Sequence, residues 1–248
     1  MPRPDYNTPR LFTPHDLAPM RAAALNAAQA HYLIKVLRLG EGARVLAFNG
    51  RDGEYAGTLK PEGKRGALLL LEERVREQAQ PVDIDYCFAP LKHARLDYLA
   101  QKAVEMGVCA LRPVLTRRTQ TTRINLERLH ANAVEAAEQC GVLWVPRVDA
   151  ERRLADVLED WPAGRMLVFC DEDAPVASSI EALRGRGLEG GASLLIGPEG
   201  GFDEDERRRL LAMPGAVRLN LGPRILRADT AAVAALALLQ ATLGDWRG

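Results

Sequence analysis

A loop with three glycines, set between an apolar segment and a charged one, is the first place where residues suited to chemistry cluster. The stretch 193–213, SLLIGPEGGFDEDERRRLLAM, predicts a short strand, a loop with Gly197, Gly200 and Gly201, and a helix. Glycine loops of this kind often bind phosphate, because free backbone N–H groups meet an anion at a helix N-terminus. This loop lacks the lysine of a P-loop and the spacing of a dinucleotide-binding fingerprint, which excludes both motifs.

The charges around this loop also disfavour an anion. Asp203 and Glu206 have capping-box spacing, so carboxylates would satisfy the first N–H groups of the helix. Glu199 adds a further negative charge inside the loop. A neutral or cationic ligand read by backbone amides is favoured, and S-adenosylmethionine fits as a sulfonium cation that carries adenosine without phosphate. The alternative is that the glycines only form a tight turn.

A second loop follows the next apolar segment, in the stretch VRLNLGPRILRADTA at 217–231. The predicted strand breaks at a Gly-Pro pair, and a helix begins several residues later. Ile225 and Leu226 lie between two arginines in this loop. Their side chains could form one wall of an adenine slot, or they could pack into the core.

The composition of the chain is that of an ordinary globular protein. Its 248 residues are 47% hydrophobic and 27% charged, which is enough for one large or two modest domains. The 33 basic and 33 acidic residues cancel, so there is no global attraction to nucleic acid. The N-terminus has no apolar signal segment and the longest apolar run is too short to span a bilayer, so we expect a cytoplasmic protein with no membrane partner. Four cysteines and four histidines are scattered, which predicts neither a disulfide nor a metal site.

Two regions of the sequence differ in their periodicity. Residues 43–75 alternate short apolar runs with turn residues, which predicts antiparallel strands of a small sheet or barrel. A stretch with helical periodicity precedes them at 26–39. The polar segment 76–81 ends on a proline and is predicted to be a linker.

Beyond residue 82, apolar strand candidates alternate with helical candidates. This alternation predicts an α/β domain with a mostly parallel sheet covered on both faces. Ligands bind such sheets at the carboxyl ends of the strands, where both loops lie. The predicted strands are 82–89, 108–115, 166–170, 193–197 and 217–221, and the predicted helices are 92–106, 124–141, 151–160, 176–186, 203–213 and 229–243.

The two loops together resemble a known family. LLIGPEGGFDEDE, followed by LNLGPRILRADTA, is similar to the paired C-terminal motifs of the ribosomal RNA small subunit methyltransferase E family, in the SPOUT superfamily of knotted methyltransferases. Further fragments appear in the order that this family shows: PRLF at 9–12, HYLIKVLRLGEGARVLAFNG at 31–50, LKHARLDYLAQKAVEMGV at 91–108 and AVEAAEQC at 133–140. The resemblance covers nearly the whole chain.

This resemblance implies a fold and a function. The fold would be a PUA-like RNA-binding β-barrel at 1–75, a linker at 76–81, and a SPOUT domain with a mostly parallel sheet and a trefoil knot at 82–248. The protein would be a homodimer that binds ribosomal RNA or the small ribosomal subunit across both subunits. Its implied product is N3-methyluridine in small-subunit (16S) ribosomal RNA, with S-adenosylmethionine as the methyl donor.

The resemblance also implies that the two loops form the cofactor pocket. The predicted cofactor-binding residues are Leu195, Ile196, Gly197, Glu199, Gly201, Leu221, Gly222, Ile225, Leu226, Arg227, Thr230 and Ala231. The family more often has glutamate where this chain has Asp229.

Methyl transfer from a sulfonium is an in-line displacement that requires positioning and no metal. Uracil N3 must also lose its proton, and Arg224 or Arg227 could stabilise the resulting anion or could only brace the loop. Glu199 and Glu105 are the candidate bases. Glu105 could instead pair with Lys102 on a helix.

Contacts to RNA are expected from local basic patches. Residues 112–128 carry an excess of arginine, which suits phosphate binding but is also usual on a solvated face. The candidate RNA-binding residues are Arg10, Lys35, Arg38, Lys102, Arg112, Arg117, Arg118 and Arg123. The chain departs from the family pattern at two places. RRTQ at 117–120 stands where the family more often has Glu-Arg-Ser, and EQCGVLWVP at 138–146 lacks the arginine usually found shortly after the Glu-Gln pair.

Two other functions remain open on the sequence. A SPOUT enzyme could instead methylate a ribose 2′-oxygen or a base of transfer RNA, and analysis of the modified nucleoside would separate these products. A catalytically silent RNA-binding factor could keep both domains. The two intact loops argue against the silent factor, and failure to bind S-adenosylmethionine would favour it.

Overall fold

The computed structural model describes four stretches of the chain: 5–63, 66–121, 123–174 and 178–247, without the side chain of His93. These residues form two compact units, each with its own sheet. The first unit comprises Met1–Gln80 and Val134–Val145, and the second comprises Pro81–Ala133 and Pro146–Gly248. The predicted domains, 1–75 and 82–248 with a linker at 76–81, differ from this division because residues 134–145 group with the first unit.

The first unit is built on an antiparallel core of three strands with a short strand on either side. Its elements are β1 (Arg10–Phe12), β2 (Ala22–Ala24), α1 (Ala27–His31), β3 (Arg44–Phe48), β4 (Glu54–Glu62) and β5 (Gly66–Arg76). The strand order is β1–β3–β4–β5–β2, and β1 pairs with β3 in parallel. The antiparallel strands predicted within 43–75 are confirmed. The strands β1 and β2 were not predicted, since three residues carry no measurable period.

The helix of the first unit begins with a capping box. The Asn26 side chain accepts a hydrogen bond from the Gln29 N–H, and the Gln29 side chain accepts one from the Asn26 N–H. After His31 the helix widens into a π-helical segment, Tyr32–Val36. Its Leu33 side chain is fully buried in the core of the unit. The helical periodicity at 26–39 therefore predicts this element correctly.

Arg10 is a buried structural residue, which corrects its assignment to the RNA surface. Its Nε lies 2.5 Å from Oε1 of Glu54, and Arg76 Nε lies 2.8 Å from Oε2 of the same carboxylate. The Arg10 and Glu54 side chains are only 3% and 1% exposed. A phosphate could reach Arg10 only if this buried ion pair broke, and an uncompensated buried charge is costly.

Residues 134–145 belong to the first unit because its strands bond to them. Glu138 accepts a hydrogen bond from the Phe12 N–H at 2.8 Å. Arg76 donates to the carbonyl of Gly141 at 2.8 Å, and Gln78 donates to that of Leu143 at 3.2 Å. These bonds satisfy backbone groups that follow the end of a helix. Burial raises the pKa of Glu138 to about 7.

The second unit alternates strands and helices. Its elements are β6 (Ile84–Phe88), α2 (His93–Glu105), β7 (Ala110–Leu115), α3 (Leu126–Cys140, which ends in the first unit), β8 (Arg147–Val148), β9 (Arg152–Arg153), α4 (Leu154–Glu159), β10 (Met166–Cys170), α5 (Ser179–Leu183), β11 (Ala192–Ile196), α6 (Glu204–Ala212), β12 (Val217–Leu219) and α7 (Ala228–Thr242). Each strand and helix predicted beyond residue 82 has its counterpart here. Residues 176–177 of the predicted helix at 176–186 lie outside the described part.

The sheet of the second unit is parallel, with the order β12–β10–β11–β6–β7–β8, and β9 also pairs with β7. Every residue of β6 and β11 is buried, as expected for strands covered by helices on both faces. The predicted α/β class with a mostly parallel sheet is therefore confirmed. The predicted trefoil knot stays a prediction.

All strands of this sheet point the same way, so the sheet has two distinct edges. The carboxyl edge is formed by the strand ends Phe88, Leu115, Cys170, Ile196 and Leu219. The amino edge is formed by the strand starts Ile84, Ala110, Met166, Ala192 and Val217. A helix that follows one strand and precedes its parallel neighbour runs from the carboxyl edge back to the amino edge.

The longest apolar run of the sequence lies in α7. One face of this helix is buried, and its small and aliphatic side chains include Ala231, Ala235 and Leu239. Among the described helices, none combines the length and the apolar character needed to cross a bilayer.

Candidate functional site

The structure places both glycine-containing loops at the carboxyl edge. Loop 197–203 follows β11, and loop 220–227 follows β12. The two strands flank β10, whose Phe169 is in register with Leu195 and whose Cys170 is in register with Leu219. Because the strands are parallel, the loops leave the sheet side by side, separated by the width of one strand.

Loop 197–203 is a tight turn that leads into a capped helix. The Gly201 N–H donates to the Pro198 carbonyl at 2.8 Å, and Gly201 has φ +70, a conformation that disfavours any side chain. The predicted capping box is present: Asp203 accepts from the Glu206 N–H at 2.8 Å, and Glu206 accepts from the Asp203 N–H at 3.0 Å. The first of these bonds, together with nearby Arg117, lowers the pKa of Asp203.

Loop 220–227 exposes apolar surface. Asn220 fixes its start, because its side-chain oxygen accepts from the Gly222 N–H at 2.9 Å while Ser179 donates to its carbonyl at 2.6 Å. Ile225 is 92% exposed, and Leu226 is half-buried. Within the described residues, the N–H groups of Ile225 and Leu226 donate to no acceptor of the chain. Ile225 therefore lies outside the core, and the loop offers an apolar side chain and free amides to a ligand.

A third loop at the carboxyl edge was missed from the sequence. Asp171, directly after β10, pairs with Arg218 at 2.8 Å and with Arg207 at 3.1 Å. The Asn220 side chain donates to the Glu172 carbonyl at 3.0 Å. These contacts tie the start of this loop to loop 220–227. The signal that could have found it is an acidic residue directly after an apolar strand.

The predicted cofactor-binding residues all lie on β11, in loop 197–203, in loop 220–227 or at the start of α7. Their exposure falls into three groups: Leu195, Ile196 and Ala231 are buried; Gly197, Leu221 and Leu226 are half-buried; Glu199, Gly201, Gly222, Ile225, Arg227 and Thr230 are exposed. The structure thus brings these residues to one edge. The free amides and exposed Ile225 fit an adenosine-containing ligand, and the carboxylates of α6 favour a cation over an anion.

The catalytic candidates do not all lie at this edge. Arg224 and Arg227 are exposed in loop 220–227, and Glu199 is exposed and paired with Arg95 of α2. Glu105 ends α2, which runs about 20 Å from the carboxyl edge to the amino edge. Within the chain Glu105 lies at the wrong edge to act as the base, which corrects that candidate. It pairs with Lys102 at 2.7 Å instead.

Arg117 and Arg118, predicted to bind RNA, contact the candidate cofactor loop. Arg117 lies 2.8 Å from Asp203 and 3.3 Å from Asp205 through its Nη1. Its backbone N–H also donates to Glu206 at 2.7 Å. Arg118 donates to the Gly200 carbonyl at 2.6 Å. The carboxylate of Asp203 is the main cause of the raised pKa of Arg117. These two arginines brace loop 197–203, whatever else they bind.

The remaining candidate RNA contacts differ in how free their charges are. Arg112 is half-buried between Asp85 at 2.9 Å and Asp149 at 3.2 Å, so its charge is compensated within the chain and its assignment to the RNA surface is corrected. Arg123 is exposed and lines a groove of about 650 Å³ next to α3. The other exposed candidates, in the π-helical segment of the first unit and directly after it, are Lys35 and Arg38.

The amino edge holds a group of metal-ligating residue types. One carboxylate oxygen of Asp83, one of Asp85 and the Sγ atom of Cys109 lie within 4.8 Å of one another. Arg165 pairs with both carboxylates at 2.9 Å, which places a positive charge where a cation would bind. Burial raises the pKa of Cys109 to about 12, so its thiol keeps its proton. The arrangement disfavours a metal, because the guanidinium of Arg165 already holds both carboxylates.

Two sequence profiles match this chain. The profile of the RNA methyltransferase domain matches residues 78–240, more than half of the chain, and includes all three loops of the carboxyl edge. The profile of the RNA methyltransferase PUA domain matches residues 25–72 and includes β3 and β4. The first profile covers the parallel sheet of the second unit together with residues 134–145 of the first, and the second profile lies within the first unit.

Two sequence relatives and one solved structure share one name. Ribosomal RNA small subunit methyltransferase E of Rickettsia conorii is 29% identical over 207 residues, 84% of this chain and 84% of that protein. Its namesake from Synechocystis is 31% identical over 224 residues, 88% of this chain and 73% of that protein. The crystal structure of the Neisseria gonorrhoeae enzyme of the same name, bound to S-adenosylmethionine, superposes with a TM-score of 0.87 at 26% identity and covers 97% of this chain and all of that one. The chain therefore belongs to the ribosomal RNA small subunit methyltransferase E family, and it is an RNA methyltransferase with a PUA domain.

Proposed function

We propose that this protein transfers a methyl group from S-adenosylmethionine to N3 of a uridine in small-subunit (16S) ribosomal RNA. The observation that carries the proposal is the exposed Ile225, beside two free backbone N–H groups, in a loop next to the glycine turn 197–203. The names of the relatives, and the cofactor bound in the Neisseria gonorrhoeae structure, support methylation of small-subunit ribosomal RNA with S-adenosylmethionine as the donor.

The electrostatics of the carboxyl edge suit this cofactor. When bound, S-adenosylmethionine supplies a methyl group activated by a sulfonium. The N-terminus of α6 carries its own carboxylates, Glu204, Asp205 and Glu206, so a phosphate-bearing ligand would be repelled there while a sulfonium would not. The exposed side chain of Ile225 would cover apolar surface of the adenosine, and free amides of the loop would bond to its edge.

Proton removal from uracil N3 needs a base near the methyl donor. Glu199 lies in the candidate cofactor loop, and Arg95 holds its carboxylate in place. We therefore assign Glu199 as the base that accepts the proton from uracil N3. Arg224 and Arg227 are exposed in the neighbouring loop, where a guanidinium would stabilise the uracil anion before its nitrogen takes the methyl group. The target base must leave its stack to reach this edge.

The proposal also includes contact between the first unit and RNA, and a homodimer. Lys35 and Arg38 present two exposed cations beside the exposed apolar side chains Tyr32 and Val36, a surface that suits contact with RNA. We propose that the protein acts in the cytoplasm as a homodimer that binds ribosomal RNA or the small ribosomal subunit.

The test is a methylation assay followed by nucleoside analysis. Purified protein, S-adenosylmethionine and small ribosomal subunits that lack base methylation are incubated, and the digested RNA is analysed by mass spectrometry. We expect new N3-methyluridine from the unaltered protein and much less from Arg227→Ala. The control is Arg184→Ala, which removes an exposed arginine at the end of α5 and should keep the activity. A 2′-O-methylated nucleoside or a product confined to transfer RNA would replace the proposed substrate. Absence of cofactor binding would favour an RNA-binding factor without activity.

A further inference from the structure

A cleft of about 270 Å³ opens at the carboxyl edge of the second unit. Three segments form its walls: the start of α2, the segment after β7, and loop 197–203. The polar side chains that line it are Lys92, Arg95, Arg118, Gln120, Thr121 and Glu199. Its volume is slightly below the usual range of ligand pockets, about 300–1,000 Å³, so it suits one small ligand.

The charge of this cleft is positive. Arg95 pairs with Glu199, the only carboxylate among the lining residues. Arg118 uses one N–H on the Gly200 carbonyl at 2.6 Å, which leaves its positive charge uncompensated. Lys92 is exposed, and among the described residues no carboxylate lies within ion-pair distance of its ammonium. Two cations are thus free to bind an anionic group.

The start of α2 adds to this positive potential. Lys92 is the N-cap of α2, its side chain makes no capping hydrogen bond, and the first turn contains no acidic residue. At the same edge, α6 satisfies its own N-terminus with Asp203 and Glu206. The positive end of the α2 dipole therefore stays open toward the cleft, whereas that of α6 is closed. An anion at this edge is drawn to α2 and repelled from α6.

The rest of the cleft suits a flat polar ring. Pro90, Leu91 and Pro198 supply apolar surface, while Gln120 and Thr121 supply an amide and a hydroxyl. An amide both donates and accepts, as does a hydroxyl. These groups match the edge of a pyrimidine, which alternates carbonyl acceptors with an N–H donor.

We propose that this cleft receives the target nucleotide, with Lys92 and Arg118 on its phosphate and Gln120 and Thr121 on the edge of its base. Glu199 and Gly200 belong both to the cleft wall and to the candidate cofactor loop. A base in the cleft therefore lies against the loop that would hold the methyl donor. This assignment rests on the proposed function, which supplies a single flipped uridine as the ligand.

Binding of small probes to the full-length protein tests the assignment. Uridine 5′-monophosphate and uridine are titrated separately, and backbone amide shifts of residues 118–121 are followed by NMR. We expect the monophosphate to shift these amides and to bind more tightly than uridine. Lys92→Ala should reduce that difference about tenfold, as expected for one charge-assisted hydrogen bond, while Arg118 keeps the rest. Thr121→Val should weaken both probes equally, since it changes only the part that contacts the base.

Controls separate a binding role from a structural one. Arg184→Ala removes an exposed, ion-paired arginine elsewhere in the unit and should change neither titration. Lys92→Ala should leave the affinity for S-adenosylmethionine unchanged, because Lys92 is outside the candidate cofactor loops. Absence of shifts at residues 118–121 with the monophosphate, or an unchanged preference for it in Lys92→Ala, would overturn the assignment.

The methylation assay distinguishes failure of the cleft from failure of the proposed function. If the unaltered protein methylates ribosomal RNA while Lys92→Ala keeps the full rate and the full affinity for the monophosphate, only the cleft assignment is wrong. If the unaltered protein forms no N3-methyluridine, the proposed function is wrong, whatever the probes do.

Discussion

Two sets of ion pairs, one at each edge of the parallel sheet, differ in their exposure to solvent. At the amino edge, Asp85 is 3% exposed and contacts both Arg165 and Arg112 at 2.9 Å. At the carboxyl edge, Arg117 is 66% exposed where it meets Asp205, itself 52% exposed. Asp85 is thus withdrawn from solvent between two arginines, whereas the contact between Arg117 and Asp205 faces solvent.

This difference separates residues that hold the sheet from residues that can serve a ligand. Hydrogen bonds from Arg165 lower the pKa of Asp83 at the amino edge. Loops at the carboxyl edge instead expose Ile225, open glycines and the cleft beside α2. Burial makes a pair costly to break, whereas exposure leaves side chains free to exchange solvent for a ligand.

Breaking the amino edge should have the largest effect, and it should fall on stability. Asp85→Ala removes the buried carboxylate that Arg165 and Arg112 share, so we expect a loss of about 3 kcal/mol in the free energy of unfolding, measured with urea. The matched carboxyl-edge change, Asp205→Ala, should cost less than about 1 kcal/mol. Equal losses from the two variants would contradict the division between the edges.

At the carboxyl edge, Ile225→Ser should change binding and leave stability almost unaltered. The side chain is 92% exposed, so its truncation removes no core contact. If the cofactor covers it, affinity for S-adenosylmethionine should fall about 10- to 100-fold, as expected for about 1.5–3 kcal/mol of lost apolar burial. Leu211→Ser, on an exposed site of α6, is the control and should leave affinity unchanged. Titration calorimetry measures both.

Two glycines with the same backbone conformation sharpen the comparison. Gly201 at the carboxyl edge has φ +70, Gly215 at the amino edge has φ +69, and a Cβ at either would meet no atom within 4 Å. Valine at either position should cost about 1–2 kcal/mol of stability through backbone strain alone. Only Gly201→Val should also lower cofactor affinity. If both variants bind the cofactor normally while folded, loop 197–203 is not part of the pocket.

The smallest effect is expected from exchanging an exposed ion pair. Arg117→Glu should raise the KM for S-adenosylmethionine by a few-fold, because an exposed pair contributes at most about 1 kcal/mol. Adding Asp205→Arg should restore part of that loss if Arg117 braces loop 197–203. If Arg117 instead binds RNA phosphate, the exchange will restore nothing and the salt dependence of RNA binding will decrease.

Local patterns predicted most elements of the fold, and contacts between distant residues decided the exceptions. The capping box of α6 and the glycine turn before it depend on neighbours within a few residues, so both could be predicted. The strands β8 and β9 have two residues each and are defined by their pairing with β7. They are too short to show the alternation of apolar and polar residues that predicts a strand. Arg10 resembles any surface arginine until Glu54, 44 residues away, is placed beside it.

The candidate site divides in the same way. Both glycine loops, and the residues in them, were predicted from motif and resemblance, and the structure brings them to one edge. The direction of α2 follows from the predicted parallel sheet, so the position of Glu105 at the far edge could have been predicted. Only the structure shows that Lys92 and Arg95 line the cleft at the near edge. The cleft was missed because its walls come from three separate segments.

By itself the sequence determined where strands, turns and helix caps form, because these depend on side chains within one or two turns of each other. The tertiary structure decided which charged side chains are paired within the chain and which can still bind a ligand. Arg95 meets Glu199 across 104 residues, and Arg165 meets Asp83 across 82. Ion pairs and hydrogen bonds act over a few ångströms, so their partners are fixed only when the sheet brings distant segments together.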